Sequence, residues 1–526
     1  MNTTSLIHGR HQIRFGVDYR RLTPIATPFS PYVQYVYPSA TSVQTNIAAP
    51  VEGTSYSRAY PLYTNFSAFA QDEWKLTPRL NLSMGLRWEV NPAPGVTQGL
   101  MPYSAVGSSL NTLTLAPQGT PLWRTGWFNF APRLGAAYIL RSEDGWETVL
   151  RGGGGVFFDS GQQLGSLGFS GVGFNATNEF SSAAFPVPVP ELIPAIVNPP
   201  ASPYYSVYSF PSHLQLPYTL QWNASLQQAL GKSQAATISY VGSHASKLLA
   251  ETEYSGSAIG NPNIQNLFVS DNRLTSDYDA LQIQFQRRLS RGLTALASFT
   301  WSHCIDYGST DITLGYGYFR GDCDFDVRHG FSSAFSYDLP DTLRNRPARA
   351  MLHHWGIDGR FTVRSSFPVT LLGNQIVDPA TGQLYFTGLN LVPGQPAYIY
   401  GSQCTAIYNN GLPCPGGRAI NPNAFSLPAN GEYGNAGRNS VRGFGVWQMD
   451  LAIRREFPIY ERLKLQFRAE AFNIFNHPNF GFIDPFFGDT TFGQATGTLA
   501  STLGVLSPLY QMGAPRSMQF ALKLTF

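Results

Sequence analysis

Leu80-Asn81-Leu82-Ser83-Met84-Gly85-Leu86-Arg87-Trp88 alternates without a break. Leu80, Leu82, Met84, Leu86 and Trp88 fall on one side; Asn81, Ser83, Gly85 and Arg87 fall on the other. Successive side chains of a β-strand point to opposite faces, so this stretch builds one apolar wall and one polar wall. The same period returns along the chain. Leu134, Ala136, Tyr138 and Leu140 alternate with Arg133, Gly135 and Ala137. Leu220, Trp222, Ala224 and Leu226 alternate with Thr219, Gln221, Asn223 and Ser225. Leu281, Ile283 and Phe285 alternate with Gln282, Gln284 and Gln286, and Leu463, Leu465 and Phe467 with Lys464, Gln466 and Arg468.

About fourteen such segments occur, at 11–20, 62–75, 80–90, 128–140, 146–158, 216–229, 234–244, 278–288, 293–304, 327–339, 353–366, 446–456, 462–474 and 516–526. Strands in soluble sheets usually run ~5–6 residues. A tilted strand crossing a bilayer needs ~9–11, which these segments match. Their connections are sorted. Short turns such as Leu76-Thr77-Pro78-Arg79, Ser142-Glu143-Asp144-Gly145, Gly231-Lys232 and Ser290-Arg291-Gly292 alternate with long segments at 21–61, 91–127, 159–215, 245–277, 305–326, 367–445 and 475–515. Short turns on one side and long loops on the other define an antiparallel transmembrane β-barrel with periplasmic turns and extracellular loops. The expected class is therefore all-β, with outer-membrane lipid as solvent.

Composition agrees. Of 526 residues only 13% are charged, against ~25% in ordinary soluble domains. A formal net charge of +3 supplies no basic stripe for nucleic acid. No run of about 18 apolar residues exists, so no transmembrane helix is expected, and no signal-peptide pattern follows Met1. The last strand alternates Met518, Phe520, Leu522, Leu524 and Phe526 with Gln519, Ala521, Lys523 and Thr525, and stops on Phe526. It resembles the signal read by the bacterial outer-membrane assembly machinery.

Three stretches resemble TonB-dependent receptors. Phe69-Ala70-Gln71-Asp72-Glu73-Trp74-Lys75-Leu76-Thr77-Pro78-Arg79-Leu80 resembles a recurrent hairpin of that family. Gly434-Asn435-Ala436-Gly437-Arg438-Asn439 with Arg442-Gly443 resembles a motif of the Oar-like subfamily common in acidobacteria, with Phe444 where relatives often carry Pro. The run from Leu465 through Ala471-Phe472-Asn473-Ile474-Phe475-Asn476-His477-Pro478-Asn479-Phe480-Gly481 resembles a second motif of that subfamily. The resemblance implies a signal peptide, a plug domain and a barrel of about 22 strands. Residues 1–526 then read as the C-terminal part of the barrel, without signal peptide or plug. Residues 11–20 read as strand 9, residues 1–7 as the tail of strand 8, and Met1 as an internal start. The TonB complex would be reached only through the plug.

Cys304, Cys323, Cys404 and Cys414 all fall in or beside expected extracellular loops. An even count, close pairs and an oxidising export route favour bridges 304–323 and 404–414. Asp322, Asp324 and Asp326 have the opening spacing of a calcium loop, but Val327 and Ser333 stand where Gly and Glu are needed, so they read as a solvated strand entrance, with a looser calcium or substrate site as the alternative. His353 and His354, at the start of a strand, would point to opposite faces. Gly152 to Gly155 lack the ending of a nucleotide loop and read as sites of close backbone approach. No nucleophile elbow, zinc motif or carboxylate couple stands out, so neither an enzyme nor a cofactor is expected. Tyr32, Tyr35 and Tyr37 are candidate ligand contacts on a long loop, or else members of an interfacial aromatic belt.

The expected function is outer-membrane uptake of a scarce solute, whether iron chelate, glycan fragment or peptide. The rival is a non-energised pore or adhesion barrel, which an even strand count would allow to close on itself. The protein should fractionate with the bacterial outer membrane and migrate differently on gels with and without boiling. Recovery as a soluble cytosolic species with a sharp folding transition in plain buffer would sink the barrel reading.

Overall fold

The period-two segments pair in chain order. The computed structural model describes residues 2–26, 31–309, 319–340, 353–408, 413–460, 462–502 and 512–526. Among them an 18-stranded sheet forms. Fifteen of its strands make an antiparallel meander: β1 Asn2–His8, β2 His11–Leu22, β3 Pro61–Lys75, β4 Leu80–Val90 and β5 Asn129–Arg141. It continues through β6 Thr148–Phe158, β7 Tyr218–Ala229, β8 Gln234–Ser255, β9 Ile264–Ser290 and β10 Leu293–Asp306. Then come β11 His329–Asp338, β12 Trp355–Arg364, β13 Val446–Tyr460, β14 Leu463–Phe472 and β15 Ser517–Thr525. Three short pieces, Gly95–Val96, Tyr204–Ser209 and Gly321–Asp322, attach to it.

Register fixes which wall is which. One row across seven strands reads Leu226, Ile238, Ile283, Phe299, Phe331, Val363 and Trp447. The neighbouring row reads Gln227, Thr237, Gln284, Ser298, Ser332, Thr362 and Gln448. The apolar wall lies on the outside: Leu134 is 66% exposed and Leu522 71%. In water such rows would be a large aggregation surface; in a bilayer they are the lipid contact. The polar wall is the opposite face, where Asp358 accepts from Ser336 at 2.7 Å and from Arg468 at 2.5 Å, and Arg468 also donates to Glu470 at 2.7 Å.

The buried apolar clusters lie at the long-loop side of the sheet, outside its lipid-facing rows. The largest gathers Leu371, Leu389, Ile420, Phe425, Val441, Ile483 and Phe492, and others centre on Val207 and Leu267, on Trp123 and Phe210, and on Val51 and Leu192. The molecule thus has a lipid-facing sheet and a separately packed extracellular layer.

Two expectations change and a third is extended. Residues 2–8, expected as the tail of a further strand, pair in full with β2 around a turn in which Gly9 has φ 58°, so the meander has fifteen strands among the described residues. Residues 245–277 are not a long loop. β8 and β9 keep pairing to Ser255 and Asn266 through register shifts near Leu248, and rise above the membrane as a 22- and 27-residue hairpin. Lys247 takes the left-handed φ of 58° that the irregularity needs. Finally, His353 and His354 precede β12, with ring centroids 4.5 Å apart at 72°, since pairing starts only at Trp355.

Glycines serve close approach where the sheet is tight. A Cβ on Gly242 would lie 2.4 Å from the Trp222 ring, its cross-strand partner, so the indole lies flat over the strand only because Gly242 has no side chain. Gly153 and Gly154 likewise sit against the carbonyls of Leu134 and Gln221, at 2.8 and 2.9 Å from a built Cβ.

The two walls differ in what they tolerate. Leu134→Arg, in the middle of β5, should destabilise the bilayer-inserted protein by about 2–4 kcal/mol, whereas Gln284→Arg on the polar wall should be close to neutral. Denaturant titration in lipid vesicles measures both.

Candidate functional site in the extracellular loop layer

Two chain segments far apart in sequence meet above β10. The first, residues 319–328, is stitched to the end of that strand. Cys304 and Cys323 are disulfide-bonded with Cα atoms 5.4 Å apart. The Cys323 N–H donates to the Cys304 carbonyl at 3.0 Å, and the Cys304 N–H donates to Asp326 Oδ1 at 2.7 Å. These bonds turn Asp322, Asp324 and Asp326 toward the second segment, residues 434–442.

That segment is shaped by residues that tolerate a left-handed backbone. Gly434 has φ 86°, and a Cβ there would lie 2.7 Å from the Leu389 carbonyl oxygen. Asn439 has φ 58°, and its Nδ2 donates to the Asp322 carbonyl at 2.7 Å and to Asp324 Oδ1 at 2.6 Å. Arg438, buried, pairs with Asp306 and with Asp324 at 2.9 Å, and its Nε donates to the Phe319 carbonyl at 3.1 Å. Arg442 pairs with Asp322 and, at 2.5 Å, with Asp326. Arg328 adds a 3.0 Å contact to Asp326, whose side chain is 1% exposed.

Burial alone would raise the Asp326 carboxyl. The hydrogen bonds from Arg442 and the Cys304 amide, with the charges of Arg442 and Arg328, outweigh it and hold the group below the usual carboxylate range. The expectation of a solvated strand entrance is therefore corrected: these aspartates are the acceptors of an interloop ion-pair knot. His303 lies 3.8 Å from Asp322 and 3.6 Å from Asp326, close enough for the three to share a cation. Arg442 and Arg328 already fill that role.

The second resembling motif closes another knot. Asn473 and Asn476 have φ 48° and 50°, ending β14 in a tight turn. Buried Asn473 donates to the carbonyls of His477 and Ala514 at 2.9 Å each and accepts from the His477 N–H at 3.0 Å. Buried Asn479 accepts from the Trp447 N–H at 2.9 Å.

The remaining residues singled out in the sequence have these places. Cys404 and Cys414 are bonded, 5.5 Å apart at Cα, in a small core with Ile399 and Ala419. Tyr35 and Tyr37 pack on Ala48, Val51 and Leu192. Tyr35 Oη accepts from the Val187 N–H at 3.0 Å, and Tyr37 Oη donates to Asn46 at 3.0 Å. Tyr32 is 43% exposed on the strand Tyr32–Tyr35. Phe520, Leu522 and Leu524 face outward on β15, and Phe526 follows at 85% exposure.

A lipid-facing antiparallel sheet under a packed loop layer is the plan of an outer-membrane barrel, and the family model for the outer membrane beta barrel domain matches residues 1–519. The chain belongs to that family. Its fold is similar to that of the outer membrane transporter YddB from Escherichia coli, with a TM-score of 0.51 at 11% identity over 99% of this chain and 53% of that one. The FrpB iron transporter from Neisseria meningitidis aligns at 0.47 and 10% identity, over 99% of this chain and 53% of that one. The copper transporter OprC aligns at 0.44 and 10%, over 100% and 56%. The outer-membrane barrel chain thus spans about half the length of these structures, and at such identity the likeness is one of fold. No curated protein matches it.

Arg438 and Arg442 were visible in the sequence as part of a motif; their partners were not, because Asp306, Asp322, Asp324 and Asp326 lie more than a hundred residues away. Arg442→Ala leaves the buried Asp326 carboxylate short of its main partner. It should cost the interloop knot about 3 kcal/mol of local stability. Hydrogen exchange should rise in residues 320–326 and 434–442 while β3 to β9 stay protected. Since the Asp326 carboxyl is held low in the folded state, its contribution is present above about pH 4 and is lost as pH falls further. Exchange in the same two segments, followed from neutral to acid pH, measures it.

Proposed function

We propose that this chain is the barrel portion of a TonB-dependent outer-membrane receptor of the Oar-like type, which takes up a scarce solute. A plug encoded outside residues 1–526 would supply gating and TonB contact. The family match and the fold likeness to an outer membrane transporter support it. The single observation that carries it is the sorting of the sheet into a lipid wall and a continuous polar wall, with the loops fixed over one end. A polar conduit under a preformed loop layer suits solute capture followed by passage.

The sheet edges bear on the rival reading. Among the described residues β1 pairs only with β2, and β15 only with β14. In hydrocarbon an unsatisfied backbone group costs several kcal/mol, so both edges need partners. With fifteen strands the first and last run parallel, which denies the meander an antiparallel closing ladder. Further strands supplied by the same receptor satisfy both edges. The terminal strand, ending at Phe526, is the segment proposed to engage the outer-membrane assembly machinery.

Export of residues 1–526 alone should give protease-sensitive material or an unregulated pore in conductance measurements. The same residues joined to plug and preceding strands should give saturable uptake lost on TonB deletion. Saturable, TonB-dependent uptake by residues 1–526 alone would overturn the reading.

A further inference from the structure

Above the membrane, the β8–β9 hairpin carries acidic and aromatic groups on one face. Glu251 is paired with Ser270 and Glu253 with Phe268 in the antiparallel ladder. Phe268 is paired in turn with Tyr208, on the parallel strand Tyr204–Ser209. Partners across a ladder share a face, so the five side chains lie together. The Tyr208 and Phe268 rings stack at 4.7 Å and 14°. Residues two apart on a strand are spaced by about 6.6 Å along the backbone, so the two glutamates leave the strand side by side.

A second observation points to a ligand. Ser270 is 2% exposed, and its Oγ has no hydrogen-bond partner. A buried hydroxyl in that state carries an uncompensated desolvation cost, and here it stands directly across from Glu251. We propose that Glu251, Glu253, Ser270 and the Tyr208–Phe268 stack form a binding site for an organic cation, an ammonium or guanidinium group. This names a substrate class for the receptor proposed above and rests on that reading.

The chemistry is one-sided. Two carboxylates, two hydroxyls and an aromatic pair offer acceptors and π-faces, which suit a cation with N–H donors and repel an anionic chelate. Arg273 pairs with Asp271 at 2.9 Å and donates to Thr252 at 2.8 Å. Burial, then Glu253, pushes the Glu251 carboxyl up to about 7. Burial also raises Glu253, against a hydrogen bond from Gln383. Burial and the same two carboxylates raise the Tyr208 phenol, which stays neutral. Burial first, then the charges of Glu52, Glu179 and Glu253, raises the phenol of nearby Tyr205 as well. A bound cation would draw the Glu251 proton off, so affinity must fall as pH drops through about 7.

The test is calorimetry on the complete receptor, residues 1–526 joined to the preceding strands and plug and folded in detergent, with agmatine, a short chain bearing a guanidinium and an ammonium. Saturable binding is expected at about pH 8, weaker by about tenfold at about pH 5.5. Glu251→Gln should weaken it by about tenfold at the higher pH, and Ser270→Ala by a few-fold. Should Glu251→Gln fail to fold, judged by gel migration with and without boiling, Glu253→Gln carries the same test. No binding at about pH 8, binding unchanged by these substitutions, or replacement of agmatine by calcium alone as the bound species would overturn the site. No energy source is needed for binding. Binding without TonB-dependent uptake would therefore count against the receptor reading only, and uptake of another solute without agmatine binding against this site only.

Discussion

Every backbone N–H and C=O that enters hydrocarbon must find its partner within the protein, and the rest of this molecule follows from that. A meander of neighbouring strands meets the demand with local pairing, which is why fifteen strands join in chain order with no crossover among them. Pairing in register then forces alternate side chains onto two walls. The row Leu226 to Trp447 and the adjacent row Gln227 to Gln448 are the two sides of a single set of hydrogen bonds. Where the sheet leaves the membrane the rule relaxes. β8 and β9 there tolerate register shifts and a left-handed Lys247, because water or loop groups can satisfy what the ladder drops.

Driving apolar residues outward removes them from the ordinary core, so stability outside the membrane has to come from the loops. They supply it with small clusters such as the one around Leu389 and Phe492, two disulfides and the knot of arginines and aspartates. Arg438 and Arg442 gain most from Arg rather than Lys geometry: each reaches two carboxylates and backbone carbonyls at once with a planar fork. The described loop residues held this way present a fixed surface, and a fixed surface binds a ligand with less ordering cost than a mobile one.

The acidic hairpin face belongs to the same layer yet behaves oppositely to the knot. In the knot, carboxylates meet guanidinium groups and Asp326 is held charged. On the hairpin, Glu251 and Glu253 share a face with each other and with Ser270, and Glu251 is raised toward neutrality. One arrangement pairs its charges within the chain; the other is the one proposed to take an added cation.

Sequence by itself determined the strands, their walls and the side on which loops are long. A period of two over ten or more residues is a local property, and Leu80 to Trp88 or Met518 to Phe526 display it without any partner. It failed where local signals end. The rise of β8 and β9 through residues 245–277 was illegible because alternation breaks at the register shifts while the pairing persists. The strand at residues 2–8 showed only as a tail, since its hydrogen bonds are made by β2. Motif residues Arg438, Arg442, Asn473 and Asn479 could be read, but not what they hold. The knot on Asp322 and Asp326, and the meeting of Tyr208 and Ser270 with Glu251, join segments that only tertiary pairing brings together. An ion pair or a shared face depends on distance in space, and distance in space is what a linear chain does not record.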